Sequence, residues 1–268
     1  MILQKNIKSY RKEIIYLNLL KDIYYVNVST IKKAWKSFLK NWPIIFTGFA
    51  YTIINISIFA LISYLLTGVL GILAGFIVAI VTSSLISNYL YLLANIIKYD
   101  KLTFNNFKEG FKYYLWKVYG IFFIAWIFSF LLNNVIGVMS SVASRISTII
   151  SILVLIIFNP LPEIIYQKSY SPWESLLYSF NFMKENWLSW LLPNIVFFSI
   201  LYLTTGRIVN DIFTTHLAYN FDVTVNGFVK YLIGQIVFSF TMIYRGYLFD
   251  ILSTSNRRKR EYMKKYYN

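Results

Sequence analysis

Three charged side chains lie inside stretches of the chain that are otherwise apolar: Glu163, Arg245 and Asp250. A charge at the centre of a membrane helix costs about 2.5–3.5 kcal/mol on insertion scales, so such residues are usually paired or functional. One interpretation is a polar site within a helical bundle that engages a lipid headgroup or an ion. The other is neutralisation, in which Glu163 pairs with Arg245, or Arg245 extends to the membrane interface where Asp250 lies.

Residue types that carry catalysis or bind metals are otherwise scarce. The chain has no cysteine and one histidine, His216, which we expect in an exposed loop. A zinc site needs several such ligands at a defined spacing. The sequence also contains no HExxH, GxSxG, P-loop or CxxC pattern. It therefore predicts a protein that is not an enzyme and that uses no metal and no cofactor.

The composition is that of a membrane protein. Hydrophobic residues make up 57% of the 268 residues and charged residues 14%, compared with ~25% charged residues in ordinary soluble domains. Residues 41–97 contain no charged side chain and no histidine. Because a bilayer core needs about 20 apolar residues per helix, this run predicts two spans joined by a tight turn at Thr67-Gly68.

Extending the search for uncharged runs predicts an all-α, polytopic bundle of six transmembrane helices. The predicted spans are 43–66, 69–97, 118–138, 146–166, 187–206 and 231–252. They form a membrane domain over 29–253, preceded by a cytoplasmic arm over 1–28 and followed by a basic cytoplasmic tail over 254–268. We expect no cleavable signal peptide, because the arm carries five basic residues and no continuous apolar segment.

Lysine and arginine are distributed unevenly between the two sides of these spans. One side carries 22 of them and the other side three. Basic residues accumulate in cytoplasmic loops, so both termini are predicted to be cytoplasmic in a multi-pass protein of the cell membrane. Six of the seven tryptophans fall at predicted cytoplasmic interfaces, where aromatic belts occur.

An amphipathic segment precedes each odd-numbered span. The first carries an apolar stripe from Ile31 to Trp42, the second follows a predicted N-cap at Thr103, and the third follows a capping box over residues 171–174. Such helices lie flat at the headgroups. The pattern predicts three units, each an amphipathic helix plus a two-span hairpin, starting near Ser29, Thr103 and Ser171. The alternative is that loops beside a membrane are amphipathic without being repeats.

The polar faces of these segments and the tail are basic. Contacts with the lipid surface are predicted for Lys32, Lys33, Lys36, Lys40, Lys108, Lys112, Arg257, Arg258, Lys259 and Arg260. Near anionic lipid each contributes on the order of 1 kcal/mol. The predicted partners are therefore anionic membrane lipids, together with a membrane protein partner if the protein is a scaffold. We expect no nucleic-acid binding, because the tail is short and tied to the bilayer.

Two stretches resemble bacterial six-span families of unknown function. They are NYLYLLANIIKYDKLTFNNFKEGFKYYLWKVYG (88–120) and NPLPEIIYQKSYSPWESLLYSFNFMKENWLSW (159–190). These families include the membrane domain attached to some glycerophosphodiester phosphodiesterases of Firmicutes. The resemblance implies a stand-alone membrane module and names no substrate. Because no phosphodiesterase domain follows residue 268, we do not expect that activity here.

The sequence favours a non-enzymatic membrane protein with an envelope-organising, lipid-interacting or scaffolding role at the inner leaflet. The alternative is a transporter or permease subunit with a site near Glu163 and Arg245. Internal repeats are typical of transporters. However, the repeats here run in the same sense, and we expect no discontinuous helix that carries a charged site at the membrane midplane.

Overall fold

The structure is a computed structural model that describes residues 2–65, 71–137, 143–209, 211–217, 224–255 and 260. These residues form an all-α bundle without strands. The helices are α1 (Ile2–Lys40), α2 (Thr47–Leu65), α3 (Gly71–Tyr99), α4 (Phe104–Tyr113), α5 (Leu115–Gly137), α6 (Ala143–Ile157), α7 (Leu161–Gln167), α8 (Pro172–Thr205) and α9 (Val225–Thr254). A 3-10 turn over Trp42–Phe46 joins α1 to α2.

Among the residues that the structure describes, six segments are long and apolar enough to cross a membrane. They are Trp42–Leu65, Leu73–Tyr99, Leu115–Asn134, Arg145–Gln167, Pro172–Thr205 and Val225–Thr254. Each overlaps one predicted span, so the prediction of six apolar spans in an all-α bundle is confirmed. The turn predicted at Thr67-Gly68 lies outside the described residues.

The last helix, α9, forms the centre of the bundle. It packs against α1, α3, α7 and α8, and from Phe238 to Phe249 nearly all of its side chains are buried. Large aromatic side chains fill the space around it; Trp190 of α8, for example, is fully buried and stands edge-on to Phe249 at 6.2 Å. Helix α9 therefore positions the buried residues of α1, α3, α7 and α8.

Two of the predicted helix starts are formed as expected. Ser171 caps α8 in a capping box with Glu174, and Thr103 caps α4 in a capping box with Asn106. The predicted start near Ser29 is wrong, because α1 runs without a break from Ile2 to Lys40. No Gly or Pro lies between 1 and 40 to end a helix.

The prediction of a third, separate amphipathic helix before the fifth span is also wrong. Helix α8 continues from Pro172 to Thr205, so the third amphipathic segment and the fifth span are one helix. Helix α4 crosses α3 within the membrane-length part of α3. There Ser87 Oγ donates to the Gly110 carbonyl at 2.6 Å and Asn88 Nδ2 donates to the Phe107 carbonyl at 2.5 Å. A Cβ on Gly110 would lie 3.0 Å from the Asn88 Cα, so only glycine allows this approach without displacement.

Candidate functional site

The predicted charged residues lie near one end of the bundle, where α3, α7 and α9 terminate; we call this the basic end. Glu163 lies on the first turn of α7 and Arg245 on α9. Arg245 donates from Nε to Glu163 Oε1 at 2.8 Å and from Nη2 to Glu163 Oε2 at 3.0 Å. Both side chains are at least 96% buried. The structure thus forms the bidentate ion pair that the neutralisation interpretation describes.

A backbone carbonyl and an aromatic ring also contact the Arg245 guanidinium. Arg245 Nη2 donates to the Asn159 carbonyl at 2.7 Å, and its Cζ lies 5.1 Å from the centre of the Trp190 ring. The Trp190 indole N–H in turn donates to Asn159 Oδ1 at 2.8 Å. A buried ion pair requires such additional hydrogen bonds, because two desolvated charges do not offset their own cost otherwise.

The helix that supplies Glu163 is discontinuous. Helix α6 ends at Ile157, Asn159 and Pro160 interrupt it, and α7 begins at Leu161. Pro160 and Pro162 lack the backbone N–H groups that would continue the helix, and the Asn159 carbonyl within this break accepts from Arg245 Nη2 at 2.7 Å. The break holds a charged pair near the basic end of the bundle, and the expectation that no discontinuous helix carries a charged site at the membrane midplane stays a prediction.

Asp250 does not join this pair. It lies on α9 beyond Arg245, is partly exposed, and makes no ion pair within the part of the chain that the structure describes. Its side chain lines a cleft at the basic end. The structure therefore separates the three charged residues that the sequence suggested as one site.

This cleft has a volume of about 720 Å³ and was not predicted. Six tyrosines and three lysines line most of it. The tyrosines lie on α3, α4, α7 and the connections beside them; the lysines are Lys98 of α3, Lys117 of α5 and Lys168, which follows α7. Asp250 is its one acidic lining residue among those described. With three ammonium groups and one carboxylate, the basic cleft has an excess of two positive charges.

Lys117 is fixed in position within the cleft. Its ammonium donates to the carbonyls of Ile165 at 3.0 Å and Lys168 at 2.8 Å, at the end of α7. An ammonium has three N–H donors, so one remains available. Lys117 makes no ion pair within the described residues, and the same holds for Lys98 and Lys168. The cleft therefore presents charge that the protein itself does not neutralise by direct contact.

The predicted lipid-contact residues fall into three groups. Lys32, Lys36 and Lys112 are exposed. Others contact protein groups: Lys33 lies 4.3 Å from the Tyr247 ring centre, Lys40 pairs with Asp100 at 2.8 Å, Lys108 lies 4.8 Å from the Phe104 ring centre, and Arg260 pairs with Asp22 at 2.8 Å. Arg257, Arg258 and Lys259 lie outside the described residues. Arg260 is thus held by a carboxylate instead of facing lipid.

His216 is not the exposed loop residue that the sequence suggested. The segment around it folds onto the bundle, with Phe213 and Leu217 buried, and the centre of the imidazole ring lies 5.7 Å from that of the Tyr51 ring. Burial lowers the pKa of His216 to about 4, so the imidazole is neutral at physiological pH. The loop is anchored because Gln235 Nε2 donates to the Leu217 carbonyl at 2.9 Å.

Sequence reasoning missed the basic cleft because its residues come from distant parts of the chain. Lys98, Lys117 and Lys168 counted only toward the orientation of the spans. One signal was present in the sequence. Each of these lysines has a tyrosine within three residues, as in KY (98–99), YYLWK (113–117) and KSY (168–170). Comparison with protein-family models, with curated proteins and with solved structures found no match for this chain.

Proposed function

We propose that this chain is a non-enzymatic, multi-pass protein of the cell membrane whose basic end lies at the inner leaflet. There it interacts with anionic lipids and, through them or a membrane protein partner, organises the envelope. The resemblance of residues 88–120 and 159–190 to six-span membrane modules is consistent with this role. No catalytic activity is part of the proposal.

The observation that supports the proposal most is the surface of α1 and the turn after it. Trp35, Leu39 and Trp42 are each more than half exposed there, and Lys32 and Lys36 are exposed on the same helix. Tryptophan is favoured at membrane interfaces and lysine near anionic headgroups. A surface that alternates these two residue types is suited to the level of the phospholipid headgroups.

The test is to measure which lipids accompany the protein. Particles excised from the membrane with an amphipathic polymer would be analysed for the ratio of anionic to zwitterionic phospholipid. We expect this ratio to exceed that of the whole membrane, and to fall for K32Q/K36Q. The matched control is R145Q/K230Q, which removes two exposed charges where α6 and α9 begin. A ratio equal to that of the whole membrane would contradict the proposal.

Orientation can be tested separately, since the chain has no cysteine. A single cysteine at Lys36 should resist a membrane-impermeant thiol reagent added to intact cells. A cysteine at Val225, which is 81% exposed at the start of α9, should react. The opposite pattern would place the basic end outside and refute the inner-leaflet assignment.

A transporter is the second candidate, and the break between α6 and α7 favours it. Discontinuous helices that hold charged residues inside a bundle are typical of ion and substrate sites. In proteoliposomes with an imposed proton, sodium or potassium gradient, this function requires a flux that Glu163→Gln abolishes while insertion stays normal. The closed geometry of the Glu163–Arg245 pair makes it the weaker proposal.

A further inference from the structure

We propose that the basic cleft binds one anionic phospholipid, with its phosphate at the lysines and its acyl chains along α5. This inference deepens the proposed function by assigning a specific site and a class of ligand to one lipid, apart from the lipids that surround α1. It rests on the charge of the cleft, on the donors in its wall and on the surface that leads away from it.

The charge of the cleft suits a phosphate group. Lys98 of α3, Lys117 of α5 and Lys168 after α7 line it, and none of them forms an ion pair within the described residues. The Lys98 ammonium lies 5.1 Å from the Tyr99 ring centre, and the Lys168 ammonium lies 5.9 Å from that of Phe249, at the border of the cleft. Lys117 is held by two carbonyls with one N–H left to donate. Because charge-assisted hydrogen bonds to phosphate are about twice as strong as neutral ones, this is the strongest interaction that the cleft can offer a ligand.

The remaining wall suits the polar part of a headgroup. Tyr99, Tyr113 and Tyr170 line the cleft with exposed rings, and their hydroxyl groups can donate to phosphate oxygens. Asp250 is an acceptor on the α9 side. A headgroup that bears hydroxyls, such as glycerol, could donate to this carboxylate while its phosphate stays with the lysines. The excess of two positive charges favours a net negative headgroup over a zwitterionic one.

The surface beside the cleft suits acyl chains and distinguishes a lipid from free phosphate. Starting one residue before Lys117, α5 carries exposed aromatic rings at Trp116, Phe123, Trp126 and Phe130. Their spacing places them on one face of the helix. Phe123 stacks on Trp126 at 6.0 Å, and Trp126 on Phe130 at 6.2 Å. This aromatic stripe runs along the membrane-length part of α5. It begins next in the chain to Lys117, at the level of the cleft, and none of its four rings lines the cleft itself.

The test is native mass spectrometry of delipidated full-length protein titrated with phosphatidylglycerol, phosphatidylethanolamine or phosphatidylcholine of matched acyl chains. We expect one phosphatidylglycerol to bind about tenfold or more tightly than phosphatidylcholine, and K98Q/K168Q to remove most of this preference. The matched control is K108Q/K112Q, which removes two lysines of α4 that do not line the cleft, and it should keep the preference within about twofold.

Lys117→Gln is the second variant and should weaken the same single site. Because it also removes a contact to the end of α7, its melting temperature must be compared with that of the wild type. K98Q/K168Q removes no inter-element hydrogen bond among those described, so it keeps the test decisive if Lys117→Gln fails to fold.

Several results would overturn the inference. The first is equal binding of all three lipids, and the second is an unchanged preference for phosphatidylglycerol in K98Q/K168Q. The third is binding of inorganic phosphate or glycerol phosphate as tight as that of phosphatidylglycerol. The fourth is a dimer whose formation displaces the lipid from the aromatic stripe. Tighter binding of phosphatidylethanolamine than of phosphatidylglycerol would refute the anionic assignment. If K98Q/K168Q has no effect while K32Q/K36Q still lowers the anionic lipid ratio, only this site is wrong and the proposed function stands.

Discussion

The buried ion pair and the basic cleft lie one helical turn apart on α7. The pair neutralises its own charges, whereas the cleft keeps an excess of positive charge. Glu163 faces Arg245, which also has the Asn159 carbonyl and the Trp190 ring as partners. The next turn, from Ile165 to Gln167, lines a cleft in which three lysines meet one carboxylate. The comparison indicates that the pair closes the bundle, while the cleft keeps positive charge available for a ligand.

The largest expected effect comes from opening the pair. Arg245→Met leaves Glu163 buried without its cation and should lower the free energy of unfolding by about 3–5 kcal/mol. The double variant Glu163→Gln with Arg245→Met should be less damaging, because no uncompensated charge remains. Thermal unfolding in detergent measures both. If the single and double variants were equally destabilised, the carboxylate would not be the main source of the loss.

Reversing the charges sharpens the same point. Glu163→Arg alone should destabilise the protein strongly, and the additional change Arg245→Glu should recover part of the loss. Recovery should be incomplete, because the reversed pair cannot reproduce the bond from Arg245 to the Asn159 carbonyl. A swapped variant no more stable than Glu163→Arg would refute the pairing as the reason for these two charges.

A smaller effect is expected from Trp190, which contacts both the Arg245 guanidinium and the Asn159 side chain. Trp190→Phe removes the hydrogen bond to Asn159 Oδ1 and weakens the contact with the guanidinium. We expect a loss of about 1–2 kcal/mol, from one hydrogen bond and one cation–π contact. Lipid binding in the cleft should stay the same, since Trp190 does not line it. A loss of lipid binding in this variant would show that the two regions are coupled.

The smallest effect concerns an exposed pair beside the cleft. Burial alone would raise the pKa of Asp100, but hydrogen bonds from Lys40 and Ser37 outweigh it and hold the pKa below its usual value. A carboxyl whose pKa is lowered on folding stabilises the protein above its unfolded pKa of about 3.9, and this is lost as the pH falls through the folded pKa. We expect less than about 1 kcal/mol, since the pair is exposed.

Asp100→Asn should therefore reduce the acid sensitivity of the melting temperature slightly and leave stability at pH 7 a little lower. The measurement is a series of thermal melts from pH 7 downwards, with the wild type alongside. An identical pH dependence in both proteins would mean that Asp100 does not contribute.

The spans were predictable from sequence because a bilayer imposes a length and a composition on each helix. The pairing of Glu163 with Arg245 was one of two stated interpretations, since two charges in apolar helices need partners. What could not be predicted depends on contacts between distant segments. The crossing of α4 over α3 at Gly110, and the meeting of Lys98, Lys117 and Lys168, leave no periodic pattern in the chain. Amphipathicity also cannot show whether a helix stops, as the continuous α8 illustrates.

The most direct test of the central claim is the rise in melting temperature that phosphatidylglycerol causes in two variants measured side by side. A ligand that binds only the folded state raises the free energy of unfolding by an amount that grows with the logarithm of its affinity. We predict that the double variant Glu163→Gln with Arg245→Met begins with a lower melting temperature but gains as much from the lipid as the wild type. We predict that K98Q/K168Q begins near the wild-type melting temperature and gains little. The reverse pattern, with the lipid effect lost in the pair variant and kept in the cleft variant, would contradict the central claim.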